Sequence, residues 1–368
     1  MRKSIQICWL LAAMFLLVLP FPLYNLLKEN IDTENHENRE LAEKPELDLL
    51  ALADYPEAYD NWMNDNLPFR NQLVAVNSLI SIYLFDESPS DRVIVGKDGW
   101  FFYNSAVNEG SSDSIADFQG TNLYSIEELE EIKTNMVATR DKLADKGVEF
   151  ILFISPNKEQ IYADKMPDEY GSLTEYTRAQ QVYDYLKDDI TVVYVADDLL
   201  QAKEDYPQYD FYCHLDTHWN NLGAYVGAKA LVKELGYDMP EIDQLTLKES
   251  TVSGMDLSSM MNLTEFLHKD VNYDITGYSE NSVEVIEYNY STVYRYSTSG
   301  ADQRKVMVVR DSFSTALAPF LASQFNDTVL FHRSSYDVSY FETEQPDVVI
   351  YETVERYLNN LKTYQIVE

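Results

Sequence analysis

The sequence predicts an α/β fold built on a mostly parallel sheet with helices on both faces. Three observations carry this. Short apolar, β-branched runs recur at 148–154, 191–195, 306–309, 329–331 and 348–351. Stretches with helical spacing separate them, and the runs are continuously apolar rather than alternating, as strands buried on both faces must be.

The elements follow in chain order. Residues 5–27 (IQICWLLAAMFLLVLPFPLYNLL) are almost wholly apolar, and about 23 residues suffice to cross a hydrocarbon core of ~30 Å as a helix. Arg2 and Lys3 precede them, which keeps the N-terminus cytoplasmic and puts the rest outside. Lys28-Glu29-Asn30 follow in place of a small-residue cleavage site, so the segment reads as a retained anchor rather than a signal peptide. Pro20 and Pro22 are expected to kink or end its helix. The expected organisation is thus an anchor over 1–28, a polar acidic tether over 29–54 and a folded domain over 55–368. One or two helices broken at Pro68 are expected over 55–85, where Trp62, Leu67, Leu73, Val76, Leu79 and Ile80 recur at helical spacing and the aromatics are expected to pack in a core. Two short strands around Gly96-Lys97-Asp98-Gly99 come next. Ser125 and Glu128 form a capping box for a helix that carries Leu129, Ile132, Met136 and Leu143 on one face and ends at Gly147. A buried strand over 148–154 stops at Ser155-Pro156, and a helix over 173–186 leads to the strand 191–195. Residues 272–296, richer in Asn, Ser, Thr and Tyr, read as an insertion.

Composition excludes some partners. Lys+Arg is 28 against Asp+Glu 62, a formal charge of −34, and no basic stripe offsets it. Nucleic acid is excluded on that ground, and anionic polymers or head groups are repelled, which leaves a neutral partner. Cys8 and Cys213 are the two cysteines; an internal disulfide is not expected and no C-x-x-C pair exists.

Reactive groups in such sheets gather just past the carboxyl ends of the strands. Three polar clusters are expected there, after Ile154, after 209–211 and after Val309. They are Ser155-Pro156-Asn157-Lys158, His214 through Asn220, and Arg310-Asp311-Ser312-Phe313-Ser314. A serine at a strand-to-helix junction can present its Oγ at the open edge of the sheet, with its own N–H and the helix N-terminus facing an oxyanion. Capping by Asp311 or Ser312 is the plainer role for the same residues. Asp216 and His218 are two apart, share a face in extended chain, and can supply the base and the acid that orients it. An N-cap role for Asp216 and a buried structural His218, with Trp219 in the core, is the alternative; His214 competes as base. His214, Asp216 and His218 are also metal-ligand types, but three within five positions make a poor zinc cage.

Asp216-Thr217-His218-Trp219-Asn220-Asn221-Leu222-Gly223-Ala224-Tyr225 closely resembles the D-x-H-W-N-x-x-G-A block of the SGNH-hydrolase-like proteins that O-acetylate alginate and other exopolysaccharides, also called DHHW proteins. Glu37-Asn38-Arg39 with Leu41-Ala42, Leu67-Pro68-Phe69-Arg70, Gly96 through Tyr103, Pro156-Asn157-Lys158-Glu159-Gln160-Ile161-Tyr162, Asp256-Leu257 and Asp311-Ser312-Phe313 agree with it in the same order. The resemblance implies a three-layer α/β/α fold, permuted so that acid and base precede the serine. It matches Asp216 to the acid, His218 to the base and Ser312 to the nucleophile. Arg310 stands where the family usually has glycine. The likeness is to membrane-anchored members without a carbohydrate-binding domain.

The resemblance further implies a membrane-tethered, extracellular O-acetyltransferase acting on a cell-surface or secreted polysaccharide through an acetyl-serine intermediate. A multipass membrane-bound O-acyltransferase is the implied acetyl supplier, and the chemistry needs no metal or organic cofactor. Asn157, Lys158 and Asp311 are weaker candidates for oxyanion or substrate contacts. Two other readings fit the same residues: an acetylesterase with water as acceptor, and a catalytically silent glycan-binding or assembly factor.

Overall fold

The computed structural model describes residues 6, 7, 9, 10, 14, 15, 18–31, 33, 40–47, 52–107 and 112–368. Parts of the expected anchor and of the tether lie outside the described residues. Among those described, no helix is long and apolar enough to cross a membrane. The anchor segment contributes the helix Pro20–Leu27. Pro20 opens this helix just after a break at Leu19, at a position where a missing N–H costs no hydrogen bond.

The chain divides into two compact units, the first running to Ser90 and including Ser258–His268, the second comprising Asp91–Leu257 and Lys269–Glu368. The helices Tyr55–Asp65 and Arg70–Phe85 therefore group apart from the α/β body that was expected to begin with them. The break between them falls at Pro68 as expected, with Phe69 in the left-handed region at φ 61°. Leu73, Val76 and Ile80 are not core residues: they are 55%, 45% and 44% exposed.

In the second unit, β1 (Val93–Val95) and β2 (Phe101–Tyr103) pair antiparallel across a turn in which Asp98 and Gly99 have positive φ. The helix Ile126–Ala144 starts at the Ser125 capping box, both of whose hydrogen bonds form. Next come β3 (Glu149–Ser155), the helix Arg178–Leu186, β4 (Thr191–Tyr194), and the helices Ala196–Asp205 and Asn221–Glu234. β5 (Thr246–Ser253) and β6 (Lys269–Thr276) form a separate antiparallel pair. β7 (Val283–Tyr288), β8 (Val293–Thr298), β9 (Asp302–Arg310), the helix Ser314–Ala322, β10 (Phe325–His332) and β11 (Val348–Val354) complete the order.

The main sheet has seven strands in the order β4-β3-β11-β9-β10-β8-β7. The first five are parallel, while β8 and β7 add antiparallel to β10. The sheet is thus mixed but mostly parallel, as expected, and the stretch taken as an insertion supplies its antiparallel edge hairpin. β7 (VEVIEY) lies at the edge and is exposed along most of its length, so it lacks the continuous buried apolar run that marked the other strands.

Side chains alternate between two cores. Ile151, Phe153, Val306, Val308, Val348 and Ile350 pack with Leu199, Leu222, Leu317 and Leu321. Leu152, Ile154, Met307, Val309 and Val349 pack with Ile132, Met136, Val182 and Leu186. Period-two alternation between two covered faces gives the three α/β/α layers, and each fully buried aliphatic side chain contributes ~1.5–3 kcal/mol.

Candidate active site

The site lies at the carboxyl edge of the parallel strands. β9, central in the sheet, ends at Arg310, and Ser312 is the middle residue of the three-residue gap before the helix that begins at Ser314. Asp311 fixes this loop. Its Oδ1 accepts the Phe313 N–H at 2.9 Å and its Oδ2 the Val354 N–H at 2.8 Å, tying the turn to the end of β11. Glu352 of β11 accepts the Asp311 N–H at 2.9 Å and the Ser314 hydroxyl at 3.0 Å. Burial, reinforced by the Asp311 charge, pushes the Glu352 carboxyl well above its ordinary value.

The segment carrying Asp216 and His218 has little regular structure. No strand forms over 209–211, and a single bridge, Tyr212 to Trp219, closes the loop. Lys158 braces it from inside, donating to the carbonyls of Cys213 (2.9 Å), His214 (3.1 Å) and Asp216 (2.6 Å). Burial depresses this ammonium to about 8. At the far end Asn220, not Asp216, caps the next helix, accepting the N–H groups of Leu222 and Gly223 at 2.9 and 3.1 Å. Gly223 is required there, since a Cβ would sit 2.1 Å from the Phe211 carbonyl oxygen.

Two contacts join the loops. His218 Nε2 lies 2.7 Å from Ser312 Oγ. Trp219 Nε1 donates to the Phe313 carbonyl at 2.9 Å, with its ring edge-on to Phe313. On its other side His218 Nδ1 lies 2.6 Å from Asp216 Oδ1. With the ring proton on Nδ1, the Nε2 lone pair faces the serine hydroxyl, the arrangement in which a base can take its proton while the carboxylate steadies the imidazolium.

Asp256 is a third acid at this point, unassigned by the sequence reading although its block was noted. Its N–H donates to Asp216 Oδ2 at 2.9 Å, and its own carboxylate takes the Thr217 N–H at 2.8 Å and the Thr217 hydroxyl at 2.6 Å. Its Oδ2 is 3.9 Å from His218 Nδ1. Burial alone would raise Asp216, but the His218 charge and hydrogen bond and the two N–H donors prevail and hold it at about 2. Burial would lower His218, yet Asp216 and then Asp256 outweigh it and raise the imidazole. Asp256 itself is raised by burial and by the Asp216 charge. Nothing local marks Asp256: it lies 40 residues from Asp216, and tertiary packing alone makes them neighbours.

The remaining candidates sit elsewhere. His214 turns away, its Nε2 2.9 Å from Asp210 Oδ2, so it joins neither Ser312 nor Asp216 and His218. Ligand atoms of Asp216, His218 and Asp256 do lie within 4.8 Å of one another, but His218 Nδ1 and Asp216 Oδ1 are the atoms already paired in the relay. Asn157 and Lys158 do not line the pocket at Ser312; with Thr217 and Arg356 they line a separate small cavity. Asn157 Oδ1 accepts from Arg356 at 3.1 Å.

The model of the SGNH hydrolase-like domain of acetyltransferase AlgX matches residues 93–335. No curated protein matches the sequence. Among solved structures, PatB1 of Bacillus cereus superposes with a TM-score of 0.52 at 16% identity, over 74% of this chain and 99% of that one. A DHHW family protein from Eubacterium siraeum gives 0.51 at 14%, over 75% and 99%. The O-acetyltransferase domain of Pseudomonas putida AlgJ gives 0.47 at 19%, over 74% and 99%. At these identities the first two establish likeness of fold.

Proposed function

Because this chain belongs to the family of the SGNH hydrolase-like domain of acetyltransferase AlgX, we propose that it O-acetylates hydroxyls of a cell-surface or secreted polysaccharide, with Ser312 as nucleophile, His218 as base and Asp216 as its orienting acid. The observation that carries this reading is the run of short contacts from Asp216 through His218 to Ser312, 2.6 and 2.7 Å. His218 Nε2 takes the Ser312 proton as Oγ bonds to the acetyl carbon of the donor, then returns that proton to the departing group. An acceptor hydroxyl next gives its proton to Nε2 while its oxygen attacks the same carbon. The Oγ–C bond breaks, and the serine regains a proton from the imidazolium. The Ser312 N–H has no acceptor among the described residues and is free to face the oxyanion.

The tethered, extracellular placement belongs to the same proposal and rests on the apolar 5–27 segment behind Arg2 and Lys3. A multipass O-acyltransferase delivering acetyl groups across the membrane would then meet the enzyme at the outer face. Acetylation of Ser312 by an activated acetyl ester, located by peptide mass spectrometry, tests the mechanism. Acetyl on Ser312, absent from His218→Ala, is expected; donor turnover with Ser312 unmodified would sink it. Product analysis with an acceptor oligosaccharide separates transfer from hydrolysis.

A further inference from the structure

The pocket that opens on Ser312 has a volume of about 280 Å³, near the lower end of ligand pockets (~300–1,000 Å³), which suits one sugar ring with the rest of a chain outside. Tyr290, Asn221, Asn272, Ser253 and Met255 supply its wall beyond the reactive groups, and no lysine or arginine among the described residues lines it. Its one acidic side chain is Asp216.

Three nearby cations, Arg310, Lys158 and Arg356, are engaged within the fold. Arg310 is fully buried, donates to the Tyr290 carbonyl at 2.7 Å and the Asp311 carbonyl at 3.3 Å, and lies 4.1 Å from the Tyr294 ring centroid. Lys158 is held by its three carbonyls. Arg356 is bonded to Asn157 and lies 5.3 Å from the Phe313 ring. A carboxylated sugar entering this pocket would meet Asp216 and no free cation, a pairing of like charges that binding must avoid.

What the wall does offer is neutral. Tyr290, at the β7–β8 turn, is 52% exposed, and the Arg310 strut under its carbonyl fixes the backbone that presents its ring. Asn272 Oδ1 accepts the Asn221 N–H at 2.8 Å, and Asn221 Nδ2 donates to the Tyr273 carbonyl at 3.0 Å. That leaves Asn272 an amide donor and Asn221 a carbonyl acceptor for ligand hydroxyls. We infer that this pocket is the acceptor subsite and that it takes an uncharged sugar unit, stacked on Tyr290 and hydrogen-bonded by Asn221 and Asn272, rather than a uronate. This rests on the acyl-transfer reading and narrows it: the alginate substrate that the family resemblance brings with it is a polyuronate, and this site is built against one.

The test uses the full chain with an activated acetyl ester as donor. Neutral cello-, manno- and galacto-oligosaccharides are compared with an oligomannuronate of equal length, both for acetyl transfer and for binding by saturation-transfer NMR. A neutral oligosaccharide is expected to bind and to be acetylated. Tyr290→Ala should raise its KM roughly tenfold, the loss of about one aromatic contact. Stronger binding or faster acetylation of the oligomannuronate would overturn the inference, as would a failure of every neutral oligosaccharide to bind while Ser312 still takes acetyl. If Ser312 never takes acetyl, the acyl-transfer reading fails instead, and the binding comparison still decides which sugar the pocket accepts.

Discussion

The loop that carries Ser312 and the loop that carries Asp216 and His218 reach the same point by different means. The serine loop is three residues long and hangs between β9 and a helix; its position follows from the register of β9 against β10 and β11. Its braces, Asp311 and Glu352, come from the loop itself and the adjoining strand. The histidine loop has one β-bridge and depends on residues remote in sequence, Lys158 from beyond β3 and Asp256 after β5. A nucleophile can be placed by sheet geometry alone. A base that must hold both a tautomer and an angle needs a polar scaffold of its own.

If the two loops form one catalytic unit, breaking either gives the largest effect. Ser312→Ala and His218→Ala should each cut acetyl transfer by roughly 10³-fold or more, and the double variant should be scarcely worse, because members of such a unit are strongly non-additive. Steady-state rates with an acetyl ester give the comparison; multiplicative losses would mean that the loops work independently.

Next comes the brace. Lys158→Met removes the donor of the Cys213 and Asp216 carbonyls, while the His214 carbonyl keeps the Phe101 N–H at 2.9 Å, so a stability loss of roughly 2 kcal/mol is expected, together with a fall in acetyl transfer. Urea unfolding measures the first. Methionine relieves the burial of a charge, and a variant as stable and as active as the parent would show that the loop stands without its brace.

The smallest effect is the most selective. His218 must be neutral to act as base, and its imidazole is raised, so activity should fall as pH drops through that raised value. Asp216, Asp256 and Arg356 are the charges that face it, the two acids raising it and the arginine lowering it. Removing one acid in Asp256→Asn should move the acid limb of the kcat/KM profile to lower pH, by roughly half a unit. A drop in activity with an unmoved midpoint would assign Asp256 a purely structural role. The sign in stability is the reverse: a raised histidine stabilises the fold below its unfolded value of 6.5, and that contribution is lost as pH rises through the folded value.

Much of this was written in the sequence. The buried strands are runs of β-branched residues with one-sided helices between them, and those local patterns decide secondary structure because burial enforces periodicity. Asp216, His218 and Ser312 were legible because each stands in a short motif at an element end. The edge hairpin was not, since an exposed antiparallel strand needs no continuous buried apolar run. Nor were Asp256 and Glu352 as partners of the site, the work of Lys158 as a brace, or the use of Arg310 as a strut under Tyr290. Each of these depends on groups far apart in the chain meeting in a buried place where an unpaired charge or carbonyl would cost several kcal/mol. Periodicity and motif spacing, being local, fix where the strands and the reactive residues lie. Which distant side chains satisfy the buried polar groups around them is settled only when the sheet closes and brings them together.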